Sequence, residues 1–303
     1  MLKATDYRSR RAGAWRLRVL PEQWSDDLQK KVLALVAAQM PSKHPQTIEV
    51  DAPAARNGKK FYLKIFHGGA PISAIKDIFR SSDAFRFWRQ GVAFAAAGFN
   101  VPLTIGAGEV RCFRIVRRSF VLTATVDGQP LPVFLADLVN TRERLTTKRN
   151  GLMKLARLIQ RLHRHGFVHG DLIAPNLLVV AAADGHELSF YFMDNDRTHW
   201  FPRWLPQSLW KRNLIQLNRM PLPGITLQDR MRFLCAYLGQ SQLSSREREF
   251  ARWIENKTRQ RRYECDGVDP TLSFRSLMRW NADIAVRHDR ESEQRGIMKD
   301  AAG

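Results

Sequence analysis

Cysteine is scarce in this 303-residue chain: Cys112, Cys235 and Cys265 stand far apart and show no paired spacing. That argues against a disulfide framework or a cysteine-based zinc site and suits a reducing compartment. Long apolar runs are missing too. The best candidate, Val32 to Met40, falls far short of the roughly 20 residues that span a bilayer. Trp15-Arg16-Leu17-Arg18 interrupts the apolar stretch that a secretory signal needs. The expected location is therefore the cytoplasm. Acidic residues are in deficit, 29 Asp and Glu against 49 Lys and Arg, giving a formal net charge of +20. Such a surface attracts phosphate-rich partners over a Debye length of roughly 8 Å at physiological salt. Nucleic acid, anionic lipid and phosphorylated glycolipid all satisfy it. There is no internal repeat or low-complexity tract. With 44% hydrophobic and 26% charged residues the composition is that of a globular protein, long enough for two lobes.

What is present is concentrated in one stretch. Val168-His169-Gly170-Asp171-Leu172-Ile173-Ala174-Pro175-Asn176 is followed by an apolar run and then by Met193-Asp194-Asn195-Asp196. In phosphoryl transfer of the protein-kinase type, a loop Asp accepts the proton of the acceptor hydroxyl, and a later Asn and Asp hold magnesium. Asp171, Asn176 and Asp194 have the types and order for those roles. A carboxylate can orient and deprotonate a hydroxyl, and hard oxygen ligands suit a cation that keeps part of its water shell. Leu177-Leu178-Val179-Val180 and Leu188 to Met193 flank Ala183-Asp184-Gly185-His186, which predicts a hairpin returning Asp194 towards Asn176. Lys64, in the apolar strand Lys60 to Phe66, fits the lysine that steadies the α and β phosphates of ATP; the competing reading is a solubility lysine on an edge strand.

The segments His169-Gly170-Asp171, Asn176-Leu177-Leu178-Val179 and Asp194-Asn195-Asp196-Arg197 resemble the lipopolysaccharide core kinases, the Kdo and heptose kinases of Gram-negative bacteria, within the protein-kinase-like superfamily. Lesser resemblances extend from about Lys59 to Leu238. They include Trp88-Arg89, Gly98-Phe99-Asn100-Val101-Pro102 and Asp229-Arg230-Met231-Arg232-Phe233-Leu234. The resemblance implies an α+β, bilobal fold, with a small β-rich nucleotide-binding lobe over 1–126 and a larger helical catalytic lobe over 127–303. It implies ATP and Mg2+ as cofactors and, as acceptor, a sugar of the lipopolysaccharide core or one linked to lipid A. Asp171 is the expected catalytic residue. Lys64, Asp83, His169 and Asn176 are expected on the nucleotide side, His169 by bracing the loop. Asn176, Asp194 and Asp196 are the expected metal set. Peripheral contact with the anionic inner membrane is compatible with such an acceptor, and nucleic acid is disfavoured. An atypical protein serine/threonine kinase and a non-catalytic, kinase-shaped module for anionic ligands remain open as alternatives.

Two departures support the non-catalytic alternative. Asp83 is the only carboxylate in Ser82 to Arg89 that could pair with Lys64, and it also suits a helix cap. No GxGxxG precedes Lys64, since Gly68-Gly69 follows it. Elsewhere, residues 1–11 read as a loose basic arm, Ser25 as the cap of a helix ended by Pro41, and Asn57-Gly58 as a strand connection. Glu109 to Val116 and Arg118 to Thr125 are predicted strands leading to a hinge at Val126 to Pro130. Leu152, Leu155, Leu158, Ile159 and Leu162 share one face of a helix ending at His165-Gly166. His163, His165 and His169 lack zinc-site spacing. Between Trp200 and Arg212, aromatics interleave with bases; most of the tryptophans are expected in the core, with a membrane-facing surface as the competing reading. Helices are expected around Leu227 to Leu238 and Glu247 to Arg262, and a charged, frayed tail after Arg287.

Overall fold

Alternation of apolar and polar side chains builds the first half of the protein. A computed structural model describes residues 3–42, 44–51, 60–68, 81–138, 142–182, 187–202, 204, 208–219 and 225–277. Asn57-Gly58, Gly69, Ala183 to His186 and the tail after Arg287 lie outside the described residues. The chain falls into two units. The first comprises Met1–Gly128 with His169–Asp171 and Ser189–Trp200; the second comprises Gln129–Val168, Leu172–Leu188 and Phe201–Gly303.

In the first unit the elements run β1 (Arg8–Ala12), β2 (Trp15–Val19), α1 (Asp26–Ala38), β3 (Gln46–Asp51), β4 (Lys60–His67), α2 (Asp83–Ala96), β5 (Thr104–Cys112) and β6 (Ile115–Ala124). The strands form one antiparallel sheet in the order β1-β2-β5-β6-β4-β3. Strand periodicity sends Leu17, Val19, Leu63, Ile65, Phe120 and Leu122 to one face, where α1 packs Leu28, Val32 and Val36. The other face receives α2 through Ala84, Phe87 and Trp88, packed on Phe66, Ala107 and Val121. Each fully buried Leu, Ile, Val or Phe stabilises the fold by roughly 1.5–3 kcal/mol. Ser25 and Ser82 cap the two helices, accepting from the N–H groups of Leu28 and Phe85. In β5, a side chain at Gly106 would run into the Trp24 ring, which lies against the strand.

Two sequence expectations change here. The basic opening is not a loose arm. Arg8–Ala12 pairs with β2 across a tight turn in which Gly13 takes φ 57°, and Tyr7 is buried with its hydroxyl donating to Thr104 O at 2.7 Å. The alternation of Trp15, Leu17 and Val19 with Arg16 and Arg18 drives that hairpin. The break between β5 and β6 falls at Phe113-Arg114 rather than near Arg117, because Cys112 already pairs with Ile115.

In the second unit, β7 (Gln129–Pro130) pairs with β9 (Leu177–Ala181). The helices are α3 (Leu131–Asp137), α4 (Arg142–Arg164), α5 (Trp210–Arg219), α6 (Leu227–Leu238) and α7 (Ser245–Asp266), with β8 (Phe167–Val168) after α4. Leu155, Ile159 and Leu162 of α4 are buried. Thr226 with Asp229, and Ser244 with Glu247, form capping boxes for α6 and α7, and Gly239 and Gly267 end those helices in the left-handed region. Lys148 of α4 reaches the carboxylate of Asp229 at 3.0 Å, with the two residues only 5% and 2% exposed. After β9 the chain turns back, with Ala182 N–H donating to Glu187 O, into β10 (Leu188–Phe192), which carries it into the first unit. There β11 (His199–Trp200) ends the returning segment.

The aromatic-basic segment is less buried than expected. Trp200 is 56% and Trp204 79% exposed, whereas Trp210 stacks on Tyr237 and meets Phe250. Close by, half-buried His163 lies between Tyr237 Oη, which donates to Nδ1 at 2.8 Å, and Asn213 Oδ1, which accepts from Nε2 at 3.1 Å. Burial pulls the imidazole down from 6.5 to about 4, against the Asn213 hydrogen bond. In the unfolded chain the ring takes up a proton near pH 6.5, and in the native state only near 4. Between those values the unfolded state holds more protons, so this histidine makes stability fall as pH falls. The expected contribution is a loss of roughly 3 kcal/mol between pH 6.5 and 4. Denaturant titrations over that range should show a shallower pH dependence for His163→Gln; an unchanged slope would dismiss the assignment.

Candidate active site

The site is assembled by a short returning segment of the first unit. At the end of β10, Phe192 N–H donates to Asn100 O at 3.0 Å, and Tyr191 forms a bridge with Asn100. This fastens the segment to the Gly98-to-Pro102 stretch. Asp194 then adopts the left-handed conformation, φ 53° and ψ 54°, and opens a single 3-10 turn over Asn195–Arg197. Side-chain-bearing residues rarely hold that conformation, and where they do the site is often functional. Asn195, fully buried, donates to Phe192 O at 3.3 Å and so closes the turn. The sequence motif includes Asn195 but gives it no role of its own; its only signal was its place between two acids.

Lys64 projects from β4, which has β3 on one side and β6 on the other, so it is not an edge-strand lysine. Its Nζ sits 2.6 Å from Asp194 Oδ1. The carboxylate expected for it from sequence, Asp83, instead takes the guanidinium of Arg86 on the same helix. The i,i+3 spacing of Asp83 and Arg86 makes that local pair easy to form. Asp196 is largely buried, and its carboxyl is pushed up by burial first, with Lys64 pulling it down and the charges of Asp194 and Asp83 pushing it up.

His169 is completely buried. One ring nitrogen, Nε2, donates to Met193 O at 2.8 Å, and the other, Nδ1, accepts the N–H of Asp171 at 3.2 Å. Burial holds its pKa below the ordinary histidine value, which keeps the ring neutral for this bridge. Phe94 and Phe192 flank it, with the Phe192 ring centroid 6.0 Å away, and Phe99 packs on both of those rings. Main chain thus engages both ring nitrogens, and the imidazole ties the Asp171 loop to the Asp194 turn. Gly170 serves the same junction. A Cβ there would collide with the carbonyl and side chain of Arg197. Gly170→Ala is expected to push the loop off the turn and lower turnover about 100-fold, since a displacement near 1 Å has that order of effect. Steady-state kinetics would check this, and wild-type turnover in the variant would contradict it. Asn176, in the second unit, ends the 3-10 turn Ala174–Asn176 just before β9.

The donor set suits a divalent cation with ATP phosphates. Asp194 and Asp196 are oxygen donors, the charge of Asp194 helping to push the Asp196 carboxyl up, and a hard cation would relieve that repulsion while Lys64 turned to phosphate. Among the described residues, no group of three or more His, Cys, Asp or Glu side chains forms a metal cluster, so ligand oxygens and water would have to complete the shell.

An antiparallel sheet bearing an internal lysine, a His-Gly-Asp loop bridged to an acidic turn, and a mainly helical second unit together define a protein-kinase-like phosphotransferase with a hydroxyl acceptor. More narrowly, the chain belongs to the lipopolysaccharide kinase (Kdo/WaaP) family, whose model matches residues 41–237. Its fold is similar to that of WaaP in complex with acyl carrier protein. That match is 20% identical, covers 76% of this chain and 92% of the other, and has a TM-score of 0.56. The PknI kinase domain of Mycobacterium tuberculosis also matches, at 12% identity over 68% of this chain and 72% of that one, with a TM-score of 0.35. No curated protein matches the chain. The family acts as sugar kinases of the lipopolysaccharide core. No helix among the described residues is long and apolar enough to cross a membrane.

Proposed function

We propose that this protein transfers the γ-phosphate of ATP to a hydroxyl of an inner-core sugar, Kdo or heptose, at the cytoplasmic face of the inner membrane. The observation that carries the reading is the Lys64–Asp194 pair at 2.6 Å, on a turn to which buried His169 ties Asp171. In this scheme Asp171 orients the acceptor hydroxyl and takes its proton. Lys64 exchanges its carboxylate partner for ATP phosphate. Asp194 and Asp196, with Asn176 supplying the amide oxygen of the family motif, would hold magnesium. When bound, the cation supplies neutralisation of the charge on the transferring phosphoryl group. His169 is a positioning residue, and Asp83 contributes negative potential near Asp196 rather than a bond to Lys64. Rate enhancement then comes from positioning and preorganised charge.

The test is magnesium-dependent ATP turnover by the purified protein, alone, with truncated lipopolysaccharide fractions that differ in Kdo and heptose content, and with a panel of proteins. Stimulation by one glycolipid fraction is the expected result and names the sugar. Phosphorylation of proteins with no response to any glycolipid would replace this reading with that of a protein kinase.

A further inference from the structure

The turn between β5 and β6 is built from residues that suit it poorly. Phe113 and Arg114 sit at φ 49° and 68°. Two consecutive left-handed residues in a two-residue hairpin loop normally call for Asn-Gly, and side chains larger than these are strained there. Packing gives no compensation, since Phe113 is 90% exposed. A lone exposed apolar residue is ordinary, but one held outward by a strained backbone calls for a reason.

Its surroundings supply one. Because β2 runs antiparallel to β5 with Trp15 opposite Val110, the Gly13-Ala14 turn of the first hairpin lies at the same end of the sheet as Phe113-Arg114. Arginines crowd that end. Arg11 stands directly across from Arg16 in the β1–β2 register, a like-charge pairing that disfavours the hairpin. Arg16 and Arg111 share one carboxylate, that of Glu109, at 3.5 and 2.9 Å. Among the described residues no carboxylate forms an ion pair with Arg11, Arg114 or Arg117, all exposed. Arg111 also donates to Arg114 O at 2.8 Å, which holds the turn in shape.

We propose that these two hairpin tips, presenting Phe113 among Arg11, Arg16, Arg114 and Arg117, are a docking surface for an anionic lipid bilayer. The proposal deepens the function above, in which a membrane lipid carries the acceptor. Guanidinium groups bind lipid phosphates as bidentate partners, and a projecting aromatic ring enters the boundary between headgroups and acyl chains. An extended anionic surface can meet the bases of both neighbouring turns at once. The uncompensated charge and the strained turn are then features of the free protein that contact with the bilayer offsets.

Co-sedimentation of the full-length protein with phosphatidylglycerol-containing vesicles, against pure phosphatidylcholine vesicles, tests this. Phe113→Asn with Arg114→Gly installs the residues the turn prefers, so the fold should persist with an equal or higher Tm. Vesicle affinity is expected to fall about tenfold for the lost ring and by a further factor of about five on anionic vesicles for the lost Arg114. Arg11→Gln and Arg117→Gln are each expected to cost about fivefold, and only on anionic vesicles. Equal sedimentation of wild type and the Phe113/Arg114 variant overturns the surface, whatever the acceptor proves to be. A difference seen on heparin but not on vesicles overturns the bilayer as partner. Loss of vesicle binding with unchanged transfer to a water-soluble, delipidated core oligosaccharide supports it. Loss of vesicle binding supports it equally where no glycolipid stimulates turnover, an outcome that counts against the proposed reaction alone.

Discussion

Asp171→Asn is expected to reduce phosphate transfer by about 10²–10⁴-fold, the usual contribution of a positioned general base, while ATP binding stays near wild type. The asparagine keeps the backbone N–H that His169 accepts and fills the same space, so the bridge between loop and turn survives. What it loses is the carboxylate that orients and deprotonates the acceptor. Single-turnover kinetics with saturating ATP, beside a nucleotide titration, separates the two effects. Full transfer activity in the variant would remove Asp171 from the base role. Loss of both transfer and nucleotide affinity would place its contribution in the loop's shape instead.

Asp229→Ala is expected to destabilise the second unit by about 3–5 kcal/mol, the cost of leaving one member of a buried ion pair without its partner. Asp229 holds together several interactions. It meets Lys148 at 3.0 Å and Arg232 at 3.1 Å, and it closes the α6 capping box with the N–H and hydroxyl of Thr226. Burial pushes its carboxyl up, yet the Thr226 and Lys148 hydrogen bonds outweigh that and its pKa falls below the usual aspartate value. A melting temperature lower by on the order of 10 °C is expected. Lys148→Met combined with Asp229→Ala should recover part of the loss, because no buried charge is then stranded. If the double variant were less stable than Asp229→Ala alone, the ammonium would not be the source of the penalty.

Particular residues show what could be read from sequence and what could not. His169-Gly170-Asp171 and Asp194 to Arg197 were legible because the chemistry limits the residue types and the spacing is short. Pairing Lys64 with a carboxylate was not, because the choice between Asp83 and Asp194 depends on where β10 returns, a long-range fact. The need for glycine at position 170 was not legible, because it comes from the Arg197 backbone and side chain pressed against it, a contact made across the fold. The turn at Phe113-Arg114 was misplaced because it contains none of the glycine, asparagine or proline that marks a turn. The opening strand was misread because three of its five residues are exposed arginines, and only the Trp15-Leu17-Val19 alternation of its partner discloses the pairing.

That first hairpin lies outside residues 41–237, the stretch matched by the family, yet β2 covers one side of β5 and Leu17, Val19 and α1 fill the core beneath it. A fragment cut to the matched stretch would bare a row of amide and carbonyl groups beside an uncovered Phe120. Such an edge recruits strands from neighbouring molecules. Trimming the enzyme to its recognisable kinase segment should therefore yield insoluble material rather than a minimal catalyst.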